Sequence, residues 1–480
     1  MRLMPRSGRK KPRGPEPVIE SSIPRLRRPS YRLALFLFAV AAFGEEPLRI
    51  ATFQVDVTPP LGSPLCCSAG VKPAATIVDR LTARGIILLG PPKPIVLAAV
   101  DWEGIANEGW DEWRQAIARA AHTDADHVSV HTLHQHDAPG YDLTAGRILK
   151  ANGLDGKLYD PDFMRSAIER VSAAVRAATA KPAKVTHLGL GRAKVVDVAS
   201  NRRVLGPDGK VKYVRYSATK IPEARDAPEG VIDPYVRSVS FWQGSKPLVS
   251  ITYYATHPQS YYGQGGVSAD FVGMARSFRE AELPITHIHF NGASGNVAAG
   301  KYNDGSQPMR PILARRLADG MKAAFDSCSK TPIRASDIGW RILPVALPPA
   351  EPIRDQERLL HLIQDPAQLD RTRLTAGRDL GFVRLRAADR KIPLFLLTLG
   401  PAQVVHMPGE LFIEYQLAAQ EMLPSRFVAM AAYGDYGPGY IGTRIAYSQG
   451  GYETGPVSRT SPDVEDVLMQ ALRELLPDKR

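Results

Sequence analysis

The 480-residue chain is 44% hydrophobic and 23% charged, which is the composition of a globular protein. Its length predicts either one large α/β domain or two domains rather than one small core. The formal charge of +12 would suit a nucleic-acid partner, but residues 1–32 carry ten Lys and Arg against two Glu, a net +8. The rest of the chain therefore carries 12 − 8 = +4, and we expect no nucleic-acid partner.

Residues 1–44 have the pattern of a secretory signal peptide. The basic segment is followed at 33–44 by twelve uncharged and mostly apolar residues, a run too short to span a bilayer as a helix. Small residues precede Glu45, as expected near a cleavage site. We therefore expect a secreted or periplasmic protein. An uncleaved anchor, or translation from Met4 or a later start, remains the alternative.

The chain has only three cysteines, Cys66, Cys67 and Cys328. Three thiols cannot form a four-cysteine zinc site, so a metal would need mainly nitrogen and oxygen ligands. A bridge from Cys66 or Cys67 to Cys328 and buried free thiols are both compatible with the sequence.

The predicted elements alternate between strands and helices. An alternating strand at 50–57 is followed by apolar strands at 81–89 and 94–100, a helix at 108–121 and a strand at 128–130. Strand, helix, strand in this order predicts a parallel pair joined by a crossover. We expect an α/β fold with one large mixed, mostly parallel sheet and flanking helices.

Further along the chain, periodicity predicts helices at 161–178, 271–281, 355–370 and 411–422 and a long loop to about residue 230. The charged segment 346–395 is interpreted as an insertion or peripheral layer. Residues 46–480 are expected to form a single domain.

A histidine-rich stretch, His131-Thr-Leu-His134-Gln-His136, follows the apolar residues 128–130. In extended chain, residues two apart point to the same side, so His134 and His136 could reach one metal or substrate. Imidazole is a common metal ligand and a common acid or base near neutral pH. This strand exit is therefore the first candidate site.

Two other strand exits carry groups of the same kind. His257 follows an apolar strand at 247–255, and Glu410 follows the turn Pro408-Gly409 after a strand at 402–407. His287 and His289 form a second His-x-His pair and are rival metal ligands. Ser294, in the glycine-rich turn after them, suggests a nucleophile elbow, and a serine hydrolase is the second hypothesis.

Several short motifs resemble, in their order along the chain, those of the neutral/alkaline, non-lysosomal ceramidase family. The resemblance covers roughly residues 48–455. The motifs are Thr58-Pro-Pro, His134-x-His136-x-x-Pro-Gly, Asn201-Arg202, His257 with Ser268-x-Asp270, the glycine turn at 292–297, Pro408-Gly-Glu410, and Gly439-Tyr440 through Tyr452-Glu453.

The resemblance implies a zinc-dependent amidase acting on ceramide or a related N-acyl lipid, with possible peripheral membrane contact. The positions that match the Zn²⁺ ligands are His134, His257, Glu410 and Tyr440. The positions that match the groups handling the substrate carbonyl and protons are His136, Arg202 and Tyr452. An open zinc position for water fits this chemistry.

The chain departs from the family pattern in two places. The turn that reads Gly-Asp-Val-Ser-Pro in the family is Gly295-Asn-Val-Ala-Ala299 here, so the serine proposed at position 298 is absent. The sequence is also expected to lack the immunoglobulin-like C-terminal domain of longer ceramidases. A non-catalytic metal- or lipid-binding protein with the same fold is therefore the alternative.

The signal-peptide interpretation has a direct test. The mature N-terminus should fall between about residues 40 and 47, because signal peptidase cleaves after small residues that follow the apolar run. N-terminal sequencing of protein recovered from outside the cell measures this. Recovery of intact residues 1–40 on that protein would refute the prediction.

Overall fold

The structure, a computed structural model, describes residues 47–65 and 72–477. These residues belong to one compact unit that runs from Glu45 to Arg480. Within the described ranges, no helix combines the length and apolarity needed to cross a membrane. The predicted signal peptide, Cys66 and Cys67 lie outside the described residues, so export and a bridge to Cys328 stay predictions.

The strands vary from two to nine residues and are listed here in chain order: β1 Arg49–Asp56, β2 Thr76–Ile77, β3 Thr82–Leu89, β4 Ile95–Val100, β5 Gly104–Ala106, β6 Val128–Thr132, β7 Gly140–Asp142, β8 Ala183–Lys184, β9 His187–Lys194, β10 Ser200–Asn201, β11 Arg203–Leu205, β12 Val211–Val214, β13 Tyr235–Gln243, β14 Lys246–Tyr254, β15 Gly266–Val267, β16 Thr286–Asn291, β17 Val297–Ala298, β18 Ser329–Pro332, β19 Ile338–Val345, β20 Ile392–Leu399, β21 Ala402–His406, β22 Glu410–Leu411, β23 Phe427–Ala431 and β24 Tyr440–Ile441.

The α-helices are α1 Asn107–Ala121, α2 Leu143–Lys150, α3 Pro161–Thr179, α4 Pro222–Asp226, α5 Asp270–Glu282, α6 Met309–Asp326, α7 Gln356–Gln364, α8 Asp370–Ala387, α9 Ile413–Met422, α10 Arg444–Gln449 and α11 Val464–Leu475.

Three mixed sheets form the framework, which corrects the expectation of one large, mostly parallel sheet. Their strand orders are β6-β4-β3-β1-β8, β16-β14-β13-β9-β18 and β19-β20-β21-β23. Most neighbours in these sheets are antiparallel, and two of the antiparallel pairs are joined by the two-residue turns Gly244-Ser245 and Gly400-Pro401. A turn of that length can only reverse the chain.

Each sheet nevertheless ends in one parallel pair, formed by β4 with β6, β14 with β16 and β21 with β23. The predicted crossover is confirmed, because α1 connects β4 to β6. Backbone hydrogen bonds join these edges: Ala432 N donates to Asn291 O (2.9 Å) and Thr132 N to Tyr433 O (3.0 Å). The carboxyl ends of strands from three sheets therefore meet in one place.

The helices predicted at 108–121, 161–178 and 271–281 are present as α1, α3 and α5. The helix predicted from residue 411 begins later, because Glu410 and Leu411 pair with Tyr440 and Ile441 as β22 and β24. The predicted loop to residue 230 contains the β11–β12 hairpin and α4. Segment 346–395 supplies α7, α8 and the start of β20, which lies inside the third sheet.

Asp101, at the end of β4, forms a buried ion pair with Arg276 of α5. Two hydrogen bonds of 2.7 Å join the guanidinium to the carboxylate, and both side chains are almost fully buried. Burial alone would raise the pKa of Asp101, but the Arg276 guanidinium holds it below its ordinary value. The pair connects the first sheet to the helix that follows the second sheet's β14.

Asp101→Ala should lower the free energy of unfolding by about 3–5 kcal/mol, because it leaves the Arg276 charge buried without its partner. Denaturant unfolding measures the loss. The matched control is Asp463→Ala, which breaks an exposed pair with Arg444 and should cost less than about 1 kcal/mol.

Because folding lowers the pKa of Asp101, the stability from this pair is present above the carboxyl's unfolded pKa of about 4 and is lost as the pH falls through the folded value. The wild type should therefore lose more stability on acidification than Asp101→Ala. Equal losses in Asp101→Ala and Asp463→Ala at neutral pH would contradict the argument.

Candidate metal centre

Three potential metal ligands meet where the parallel strand pairs end. The ligand atoms of His134, His257 and Glu410 all lie within 4.8 Å of one another, and all three residues are buried. The Glu410 Oε2 atom is 3.2 Å from His134 Nε2 and 2.9 Å from His257 Nε2. His134 follows β6, His257 follows β14, and Glu410 follows β21, so each sheet supplies one ligand.

Backbone carbonyls fix the orientation of both imidazoles. His134 Nδ1 donates to Glu103 O at 2.7 Å, and His257 Nδ1 donates to Ser294 O at 2.6 Å. In a neutral imidazole that donates from Nδ1, the Nε2 atom is an acceptor. Two nitrogen lone pairs therefore face one carboxylate oxygen, and the donors Arg202 Nη1 and Tyr440 hydroxyl approach only the His257 nitrogen, each at 3.3 Å, within the described ranges.

This set of potential ligand atoms fits a divalent cation. Buried acceptors that face each other need a positive charge or a proton between them. His134 Nε2 is buried and has no partner of hydrogen-bonding geometry in the described chain, as expected of a ligand atom. Two neutral imidazoles and a carboxylate, each imidazole oriented through its other nitrogen, are typical of catalytic zinc sites.

Two residues at the cluster, whose side chains are in contact, have a strained backbone conformation. His134 has φ +67° and Tyr433 has φ +61°, values that non-glycine residues rarely adopt. Their rings stack with a centroid distance of 4.6 Å. Strain of this kind persists only where surrounding contacts enforce it, and it is common at functional sites.

Tyr440, Arg202 and Tyr452 form a hydrogen-bonded group beside the cluster. The Tyr440 hydroxyl lies 2.9 Å from Arg202 Nη1, which donates to it, 3.3 Å from His257 Nε2 and 3.0 Å from the Tyr452 hydroxyl. Parallel pairing of Glu410 with Tyr440 brings the phenol to the ligands. Burial raises the pKa of Tyr440, and the Arg202 charge opposes that rise.

His136 lies next to His134. Their ring centroids are 5.2 Å apart, and the His136 ring meets the Tyr262 ring edge-on at 4.6 Å. Its Nδ1 atom is buried without a hydrogen-bond partner in the described ranges. The structure thus brings all seven predicted site residues together.

The rival histidines lie elsewhere. His287 Nε2 is 3.2 Å from Leu283 O, and His289 Nδ1 is 2.9 Å from Thr252 Oγ1. Neither belongs to a group of three potential ligands among the described residues. His131 bonds to His406 at 2.9 Å behind the cluster.

The interpretation of Ser294 as a nucleophile on an elbow lacks its structural context. The Ser294 hydroxyl bonds to the Tyr433 hydroxyl at 2.7 Å, and the turn leads into β17 rather than into a helix. Asn296, where the family has Asp, supports α9: its Oδ1 accepts from Ile413 N at 2.9 Å and its Nδ2 donates to Glu414. Ala298 pairs with Ser200 in β10–β17.

Sequence reasoning missed Tyr436. Its hydroxyl donates to Glu410 Oε1 at 2.7 Å, so it holds the carboxylate oxygen that does not face the imidazoles. Its place in the tyrosine- and glycine-rich stretch 433–440 is the available sequence signal, but Tyr433 and Tyr440 share that signal. Glu103 was also missed because it acts through its backbone carbonyl, which no residue pattern reveals.

Comparison with known proteins supports the fold. No protein-family model and no curated protein matches the sequence. Among solved structures, the neutral ceramidase from Pseudomonas aeruginosa is similar with a TM-score of 0.66 at 14% identity, covering 90% of this chain and 74% of that chain. A ceramidase complexed with C2 is similar with a TM-score of 0.64 at 16% identity, covering 90% of this chain and 76% of that chain.

The chain therefore has the α/β fold of these neutral ceramidase structures, together with a buried His-His-Glu group that could hold a metal ion. The predicted resemblance is confirmed for the fold.

Tyr436→Phe should weaken metal binding by about 10- to 100-fold, because it removes the hydrogen bond that orients Glu410. Competition with a chromogenic chelator measures the affinity. Tyr141→Phe is the control, since it removes a similar phenol–carboxylate bond, to Glu112, outside the cluster. Unchanged affinity in Tyr436→Phe, or an equal loss in both variants, would contradict the orienting role.

Proposed function

We propose that the protein is an exported zinc-dependent amidohydrolase that cleaves the N-acyl amide bond of ceramide or a related N-acyl lipid. The observation that carries the proposal is the convergence of His134 Nε2, His257 Nε2 and the Glu410 carboxylate in a buried site. The fold shared with neutral ceramidase structures supports the substrate class.

His134, His257 and Glu410 would hold Zn²⁺, with the Tyr440 hydroxyl as a fourth ligand. Zn²⁺ bound there would supply Lewis-acid chemistry, polarising the amide carbonyl and lowering the pKa of a water molecule. Each of these three side chains also makes a hydrogen bond through an atom that would not bind the metal. His134 Nδ1 donates to Glu103 O, His257 Nδ1 donates to Ser294 O, and Glu410 Oε1 accepts from the Tyr436 hydroxyl. These bonds would keep the three side chains in their binding orientation.

Arg202 and Tyr452 would stabilise negative charge on the substrate oxygen. The Arg202 guanidinium carbon is 4.9 Å from the centroid of the Tyr452 ring, and Arg202 Nη1 donates to the Tyr440 hydroxyl. A cation and a phenol that are fixed before reaction lower a barrier because they need little reorganisation. Burial alone would lower the pKa of Arg202, but the Tyr440 and Tyr452 hydroxyls and the Glu453 and Glu410 carboxylates raise it, so the guanidinium stays charged.

His136 would hold a proton for the leaving amine or accept one from the attacking water. Its Nδ1 atom has no partner in the described chain, and its ring is next to His134. Packing against Tyr262 limits its rotation. A positioned imidazole of this kind typically accelerates a reaction by about 10²–10⁴-fold.

The first test compares activity and metal content. Hydrolysis of N-acyl lipids should disappear with a chelator and return with Zn²⁺. His134→Ala and His257→Ala should each lose the metal, because the site has no spare ligand, whereas His287→Ala should keep it. Full occupancy in the first two variants would overturn the ligand assignment. Full binding without hydrolysis of any N-acyl lipid would favour a non-catalytic metal-binding protein.

Tyr452→Phe tests carbonyl stabilisation. Loss of one fixed donor should lower kcat by about 10²–10³-fold with zinc content unchanged. The Phe side chain retains nearly all the volume of Tyr, so a residue that only packs against the pocket would tolerate the change. Wild-type kcat in Tyr452→Phe would remove this residue from the catalytic group and leave the metal assignment intact.

A further inference from the structure

An apolar cavity of about 750 Å³ lies between residues 350–379 and residues 447–462. Pockets for small molecules usually measure about 300–1,000 Å³. None of the seven candidate site residues lines this cavity, so it is distinct from the metal centre. The two are nevertheless neighbours, because Thr454 lines the cavity and ends the 3₁₀-helix Tyr452–Thr454.

Hydrocarbon side chains dominate the interior of the cavity. Leu359 and Leu362 of α7 face the same space as Ala376 of α8, and Ile353 and Pro456 are among the other apolar residues that line it. Leu359 and Ala376 are only 2% and 3% exposed. An apolar space of this size favours a ligand with a long hydrocarbon chain, because burial of each methylene stabilises the complex.

The charged residues that line the cavity leave it with excess positive charge. Asp379 is neutralised by an ion pair with Arg459 at 2.7 Å. The other charged residues that line the cavity are two positive ones, Arg358 and Arg371, and one negative one, Glu351. Arg358 donates to Pro352 O, whereas Arg371 is exposed and has no hydrogen bond or ion pair within the described ranges. A ligand with an anionic head group complements this arrangement.

We propose that this cavity binds a long-chain carboxylic acid. The chain lies between α7, α8 and segment 454–462, and the carboxylate binds Arg371 with Arg358 beside it. The proposal does not rest on the proposed hydrolase activity. It is compatible with that activity, because hydrolysis of an N-acyl amide releases an acid of this class.

The binding experiment uses the full purified protein and cis-parinaric acid, a fluorescent long-chain acid, below its aggregation concentration. Binding should saturate at one acid per chain and persist after metal removal by a chelator. Displacement by saturated acids of ten, twelve and fourteen carbons should tighten by about fourfold for each added methylene. Binding that is lost with the metal, or that does not depend on chain length, would overturn the proposal.

Arg371→Glu tests the head-group contact. The variant should weaken acid binding by about three- to tenfold, because an exposed attraction is replaced by a repulsion. Displacement by the corresponding fatty alcohol should stay unchanged. Arg384→Glu is the matched control: it makes the same charge change at another exposed position of α8, outside the cavity lining. Equal effects of the two substitutions would overturn the proposal in favour of non-specific attraction.

Thr375→Trp tests the position of the chain. Thr375 is exposed at the cavity, so an indole there should block chain entry with little effect on the fold, and acid binding should fall by at least tenfold. Circular dichroism checks the fold of each variant. Unchanged binding in Thr375→Trp would overturn the assignment. Binding to phosphatidylglycerol vesicles without saturable binding of the monomeric acid would also overturn it, in favour of a bilayer surface.

Discussion

The contact of two imidazole nitrogens with one carboxylate oxygen is the constraint on which the rest of the site depends. The Nε2 atoms of His134 and His257 lie 3.2 and 2.9 Å from Glu410 Oε2. Three acceptors buried together are unfavourable unless a positive charge lies among them. Arg202 Nη1 and the Tyr440 hydroxyl each lie 3.3 Å from His257 Nε2, whereas His134 Nε2 has no partner of hydrogen-bonding geometry in the described ranges. Glu103 O, Ser294 O and the Tyr436 hydroxyl hold the three side chains in this arrangement through their other polar atoms.

The sheets explain how three distant parts of the sequence reach this point. Each main sheet is largely antiparallel, and antiparallel neighbours place successive strand ends at opposite edges. One parallel pair at the end of each sheet changes this, because its two strands finish at the same edge. The ligands follow strands of those pairs, β6, β14 and β21. The three parallel pairs therefore determine where the candidate metal ligands lie.

The sequence predicted the parts of this arrangement that depend on local pattern. The β4-α1-β6 crossover follows from strand and helix periodicity, and His134, His257 and Glu410 each stand at a predicted strand exit. Sheet number could not be predicted, because pairing between distant strands leaves no periodic signal in either strand. Tyr436 was missed for a similar reason: its hydrogen bond to Glu410 spans 26 residues, and nothing in the local pattern distinguishes it from the neighbouring tyrosines.

Two adjacent arginines join the candidate metal centre to the surrounding framework. Arg202 Nη1 donates to the Tyr440 hydroxyl, whereas Arg203 Nη1 is 3.2 Å from the buried Glu453 carboxylate. Glu453 follows Tyr452 directly, so the second pair holds the short helix that carries the Tyr452 phenol. Gly451 precedes this helix with φ +96°, a backbone conformation that residues with a side chain rarely adopt, which explains the glycine there. The position of the Tyr452 hydroxyl is thus fixed from the same segment that presents Arg202.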